Sequence, residues 1–138
     1  MSTHAGKNLP RPSAQSRPFW EGCREGHLLL QRCRACGAQQ FYPRLMCVRC
    51  DAADPEWVPA SGLGRIESFT VVRRAVSAAY APEAPYVVAL IALDEGPVMM
   101  SNVVDCDIES LAVGDRVQVL FEAWTDEITV PKFRPASR

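Results

Sequence analysis

Histidine is scarce in this chain: His4 and His27 are the whole supply in 138 residues. That scarcity removes most histidine-based chemistry. No Ser-His-Asp order, H-E-x-x-H motif or Gly-rich phosphate loop is present, so a conventional catalytic apparatus is not expected. Long apolar runs are also missing. The longest, Tyr86 to Leu93, has eight residues, whereas a membrane-spanning helix needs about 20. Residues 1–18 hold no apolar h-region, so no signal peptide is expected and the reading is cytoplasmic, with reduced thiols. Net charge is nearly absent too, at −1. Nucleic-acid binders draw affinity from phosphate neutralisation, so this balance argues against one.

What the chain does have is cysteine, six in all. Four fall into two C-x-x-C pairs, Cys33/Cys36 and Cys47/Cys50. Two residues between thiolates let one tight turn present both sulfurs to one ion, and Gly37 relieves the backbone after the first pair. Two such turns brought together by a short hairpin complete a tetrahedral S4 site. Zinc suits it, because it is redox-silent and binds thiolates. Four protein ligands leave no position for a reactive water, so the site reads as structural. Iron in a rubredoxin-like site is the rival reading, and a pair of disulfides a third. Asp51 stands after the second pair where a glycine is expected, which predicts a strained or different turn there. Cys23 and Cys106 lie outside the pattern and read as spare thiols.

Around this cluster the chain divides by pattern. Residues 1–15 are polar and Pro-rich and read as a flexible tail carrying His4. A short helix is expected over 16–26, capped by Ser16, opened by Pro18 and stopped by Gly26. Its Phe19 and Trp20 either cover the domain's own core or anchor a partner. Residues 27–52 form the metal ribbon, with strands expected at His27–Arg32 and Gln39–Tyr42. The turn-rich stretch 51–62 reads as a joint. Beyond it, strands are expected at 64–72, 86–93, 98–104 and 116–122, with a last one near 129–133. The 86–93 run reads as buried on both faces. Short antiparallel strands with no convincing helix suit a small closed barrel, since closure removes exposed edges.

Charge follows the same division. Residues 1–18 carry +3 and residues 32–50 carry +4, while 51–138 hold fourteen acids and seven bases, a net −7. The basic ribbon either solvates itself or meets something anionic. Arg73 and Arg74, near a strand end, could take phosphates or simply face water.

Over roughly residues 17–136 the chain resembles a family of small bacterial and archaeal proteins. The likeness rests on Pro18-Phe19-Trp20-Glu21, Gly26 to Gln31, Arg32-Cys33 with Cys36-Gly37, Phe41-Tyr42-Pro43-Arg44, and Cys47 with Cys50. It continues through Trp57, Ser61 to Gly64, Ser68 to Val71, Pro85 to Ala89, Leu93 to Gly96, Leu111 to Asp115, Val117 and Phe133-Arg134-Pro135. Val48 and Asp51 depart from it, where the family often has proline and glycine. The resemblance implies a mainly β fold: a short N-terminal helix, a rubredoxin-like zinc ribbon and a five-stranded antiparallel OB-fold barrel, here over 53–138. It also implies a non-catalytic accessory subunit of a thiolase-superfamily enzyme acting on acyl-CoA, such as a thiolase or a steroid side-chain aldolase. Some members accompany MaoC-like hydratases. By that likeness Phe19, Trp20 and the basic ribbon face the partner or CoA phosphates, and no catalytic residue carries over. A free-standing acyl-CoA binder and a single-stranded nucleic-acid binder are the competing functions. Against the second, the −7 barrel segment offers few aromatic stacking platforms.

Overall fold

A computed structural model of the chain describes residues 6–136. The fold is mainly β with one short helix and a closed five-stranded barrel. Helix α1 spans Arg17–Arg24. Ser16 sits at its N-cap, but its hydroxyl accepts from the Ser13 N–H at 2.8 Å and makes no cap bond to the first turn. The helix stops as expected. Gly26 takes φ +84, its N–H bonds the Cys23 carbonyl, and the His27 N–H reaches back to the Gly22 carbonyl at 2.7 Å. This paired closure satisfies carbonyls the helix end would otherwise leave open.

Strands β1 (Leu29–Arg32), β2 (Gln39–Gln40) and β3 (Glu56–Pro59) form a small antiparallel sheet in the order β2-β1-β3. The stretch read as a joint therefore contributes a strand to the ribbon, and the ribbon's sheet runs past residue 52. Nothing in Glu56-Trp57-Val58-Pro59 marks that partner locally; Trp57 pairs in register with Gln31 across the sheet.

The barrel holds β4 (Leu63–Val72), β5 (Tyr86–Leu93), β6 (Val98–Val103), β7 (Arg116–Ala123) and β8 (Thr129–Pro135), closed in the order β4-β5-β6-β8-β7. Its pairs are antiparallel except β6 with β8, which meet in parallel only at Val103 and Phe133. Strand β5 is not buried on both faces. Val87, Ala89 and Ile91 point inward, whereas Leu90 is exposed, because a barrel wall has one inner face.

One continuous core joins these parts. Phe19 and Cys23 of α1, with Leu28 and Leu30 of the ribbon, pack into the same cluster as Ile66, Val117 and Phe133 of the barrel. Gly22 makes the close approach possible: a Cβ there would lie 2.9 Å from the His27 carbonyl and the Leu29 side chain. The N-terminal segment departs from the expected flexible tail. Lys7 is buried against the barrel, while His4 and the rest of residues 1–5 lie outside the described residues.

Phe133 is fully buried where helix, β7 and β8 converge. Phe133→Ala should cost about 3–5 kcal/mol, read as a fall in the urea midpoint with an unchanged slope.

Candidate metal centre and the groove beside it

Each C-x-x-C pair lies on a knuckle, and the two knuckles repeat one hydrogen-bond pattern. In the first, the Cys33 N–H bonds the Ala38 carbonyl at 2.8 Å and the Gly37 N–H bonds the Cys33 carbonyl at 3.0 Å. In the second, Cys47 bonds Ala52 at 2.8 Å and Asp51 bonds Cys47 at 3.0 Å. Gly37 takes φ +76 and Asp51 φ +64. Asp51 thus adopts the left-handed turn of its glycine counterpart, which aspartate tolerates better than most residues.

The four sulfurs lie within 4.8 Å of one another, with Cys33 to Cys50 at 3.5 Å and Cys36 to Cys47 at 3.7 Å. Metal–sulfur bonds of about 2.3 Å in a tetrahedron place sulfurs about 3.8 Å apart. The cluster therefore fits one ion, and none of the six cysteines is joined in a disulfide. The backbone readies two of the sulfurs, while at Cys50 the Ala52 N–H is outweighed by the neighbouring Cys33 sulfur and burial, which push its pKa up to about 12. N–H groups of Cys36 and Ala35 aim at the Cys33 sulfur and hold its pKa down to about 6. Those of Cys50 and Arg49 lower Cys47. By contrast, burial pushes Cys23 up to about 12, and burial with Asp107 and Asp105 raises Cys106. Both stay protonated near neutrality, as spare thiols should.

A buried glutamine pair holds the knuckles in place, and the sequence carried no signal for it. The Gln31 Oε1 accepts from the Arg44 N–H and the Gln40 Nε2, both at 2.8 Å. Gln31 Nε2 donates to the Arg44 carbonyl, and Gln40 Oε1 accepts from the Val48 N–H at 3.0 Å. Two side chains thus replace the backbone ladder that the 41–50 loop lacks. Around them, Arg32 and Arg34 pair with Glu56, while Arg44 and Arg49 are exposed with no ion pair among the described residues.

Next to the ribbon lies a groove of about 410 Å³. It opens where β6 and β8 splay apart and Pro131 has no N–H to offer. Trp20, Phe41, Tyr42, Met100, Trp124 and Pro131 line it. Tyr42 is 48% and Met100 58% exposed, and the Met100 N–H donates to the Tyr42 hydroxyl at 3.4 Å. The two helix aromatics separate here. Phe19 is mostly buried in the core, with edge-on contacts to Trp20 at 5.0 Å and Phe41 at 5.2 Å, and only its edge lines the groove. Trp20 reaches the groove. Arg73 and Arg74 lie elsewhere, in the loop after β4, where Arg73 sits 3.6 Å from Glu109. His27 is exposed just ahead of β1.

Residues 20–56 match the family model of the ChsH2 rubredoxin-like zinc ribbon domain, and residues 57–122 that of the ChsH2 C-terminal OB-fold domain. A DUF35 domain-containing scaffold protein of Methanothermobacter thermautotrophicus is 36% identical over 97 residues, 70% of this chain and 72% of that protein. The chain belongs to the DUF35 family. The junction of its two domain models, at residues 56 and 57, falls inside β3, consistent with a strand shared between ribbon and joint. A Thermomonospora curvata protein named as a probable enoyl-CoA hydratase alpha subunit is 34% identical over 129 residues, 92% of this chain. The chain spans only 40% of that relative's length. Among solved structures, a chain of an Ltp2-ChsH2(DUF35) aldolase superposes with a TM-score of 0.84 at 31% identity, covering 93% of this chain and 99% of that one. No helix among the described residues is long and apolar enough to cross a membrane.

Two predictions arise from the centre. Thiolates bind metal and thiols do not, so protons compete with the ion and affinity must fall as pH falls. Transfer of the ion to a colorimetric chelator should be faster at pH 5.5 than at pH 7.5. Gln40→Leu keeps the volume but orphans the Val48 N–H, which should cost roughly 1–3 kcal/mol. The same chelator assay should show faster metal loss from it than from the wild type.

Proposed function

We propose that this DUF35 protein is a non-catalytic accessory subunit that binds and stabilises a thiolase-like enzyme, a thiolase or retro-aldolase acting on acyl-CoA. The observation that carries this reading is the near-complete superposition on a chain of the Ltp2-ChsH2(DUF35) aldolase. The scaffold name of the archaeal relative and the hydratase-subunit name of the actinobacterial one point the same way, and the second brings a MaoC-like hydratase into range as a further partner. In this reading the chain supplies no catalytic residue, and the chemistry is assigned to the partner.

Zinc is the proposed ion at Cys33, Cys36, Cys47 and Cys50. It would fold the ribbon and take no part in catalysis. Partner contact is assigned to the mostly apolar groove that Phe19, Trp20, Tyr42 and Met100 line, and to the exposed cations Arg44 and Arg49 of the 41–50 loop, which enters that groove at Tyr42 and Pro43. Exposed apolar side chains clustered beside positive charge suit a partner surface with apolar and acidic character. The same cations could meet CoA phosphates at the edge of the complex. Phosphate contact at Arg73 and Arg74 is the less supported part, because Glu109 already faces Arg73.

Co-expression with a thiolase-superfamily protein encoded beside it should give one co-eluting complex on size exclusion. Trp20→Ala should weaken that complex by about 2 kcal/mol or more, the cost expected of a buried aromatic anchor. Separate elution, with no change in the enzyme's solubility or activity, would overturn the reading.

A further inference from the structure

In OB-folds, ligands commonly bind against the wall between the loop joining the first and second barrel strands and the loop joining the fourth and fifth. Here those loops are residues 73–85 and 124–128. The chain's own residues 7–12 lie across the cleft between them and line the spaces left on either side. Lys7 and Asn8 pack against Tyr80, Glu83 and Trp124, while Leu9 to Pro12 run beside Thr125 to Ile128.

Lys7 is held there by several independent contacts. Its Nζ pairs with the Glu83 carboxylate. It lies 5.5 Å from the Tyr80 ring centroid and 5.1 Å from that of Trp124, both within cation–π range. Only 2% of its side chain remains exposed. The Asn8 N–H donates to the Tyr80 hydroxyl at 3.2 Å, and Gly6, at φ +83, lies against Ala79. Lys132, itself buried, stands 5.8 Å from the same Trp124 ring. It is balanced by Glu122 at 3.0 Å and by Glu83 at 3.8 Å. A second ammonium therefore fits beside it without an uncompensated charge.

We propose that the barrel carries a binding site for a primary ammonium group, built from Glu83, Tyr80 and Trp124, and that Lys7 is its resident ligand in cis. Residues 6–12 then form a latch across the barrel's ligand cleft. A lysine of another chain enters only by displacing Lys7. The latch also borders the groove described above, because Trp124 and Lys132 line both. This inference does not depend on the accessory-subunit reading, and its test uses the isolated chain.

Lys7→Ala removes the equivalent of one n-propylammonium. In thermal melts the variant should unfold roughly 3–8 °C below the wild type. Millimolar n-propylammonium chloride should restore the midpoint saturably in the variant, leave the wild type unmoved, and act where n-propanol does not. Lys7→Met keeps the apolar stem and loses only the charge. Hydrogen exchange at the Asn8 amide, which bonds the Tyr80 hydroxyl, should be several-fold faster in it than in the wild type, and this serves as the readout if Lys7→Ala does not fold. Wild-type melting of Lys7→Ala, equal action of the amine on both proteins, or wild-type exchange at Asn8 in Lys7→Met would each overturn the proposal.

Discussion

Strand β1 carries the constraint on which the other parts depend. Leu30 and Gln31 are neighbours, so in a strand they face opposite sides. Leu30 is fully buried in the core shared with α1 and the barrel. Gln31 turns the other way, into the polar pocket beneath the knuckles, where it and Gln40 tie down the 41–50 loop. With β2 on one edge and β3 on the other, β1 cannot slide without moving both sets. A slip of one residue would put a glutamine into the apolar core and a leucine among backbone donors that need partners.

The two halves of the chain are stabilised by different means because they bury different things. The barrel has enough apolar surface to close on itself. The ribbon has two short knuckles, a few backbone bonds and four sulfurs, so an ion stands in for the core it lacks. The helix reconciles the two. Two turns are unstable alone, and α1 persists because Phe19 and Cys23 enter the barrel's core while Gly22 lets its backbone sit against the ribbon. The groove is a by-product of the same arrangement. Pro131 and the splay of β6 from β8 leave a gap in the barrel wall, and Trp20, Phe41 and Tyr42 roof it without filling it.

Much of this was legible in the residues. The ligand set follows from spacing, because a C-x-x-C turn can present its sulfurs in few ways. The barrel strands follow from period-two patterning and from turn residues such as Asp94 to Pro97. Features made by distant pairings were not legible. Strand β3 has no pattern of its own and becomes a strand through β1. Gln31 and Gln40 look like ordinary surface residues until two knuckles close over them. Lys7 sits in a stretch whose composition is that of a loose tail, yet it is buried by loops more than seventy residues away. Phe19 and Trp20 are adjacent and chemically alike and both reach the groove, but only packing shows that Phe19 is buried in the core while Trp20 is half-exposed.

By itself the sequence determined what local chemistry controls. That includes a four-sulfur site whose turn geometry is written in two short motifs, a set of strands with one apolar face, and an inventory too poor in histidine for the usual proton-transfer work. The tertiary structure alone decided what depends on contacts between distant residues: the single core joining ribbon to barrel, the glutamine pair under the metal centre, the aromatic groove at the splayed seam and the burial of Lys7. Spacing and periodicity act over a few residues, whereas burial and pairing of a polar or aromatic side chain depend on whatever the folded chain brings within a few ångströms of it.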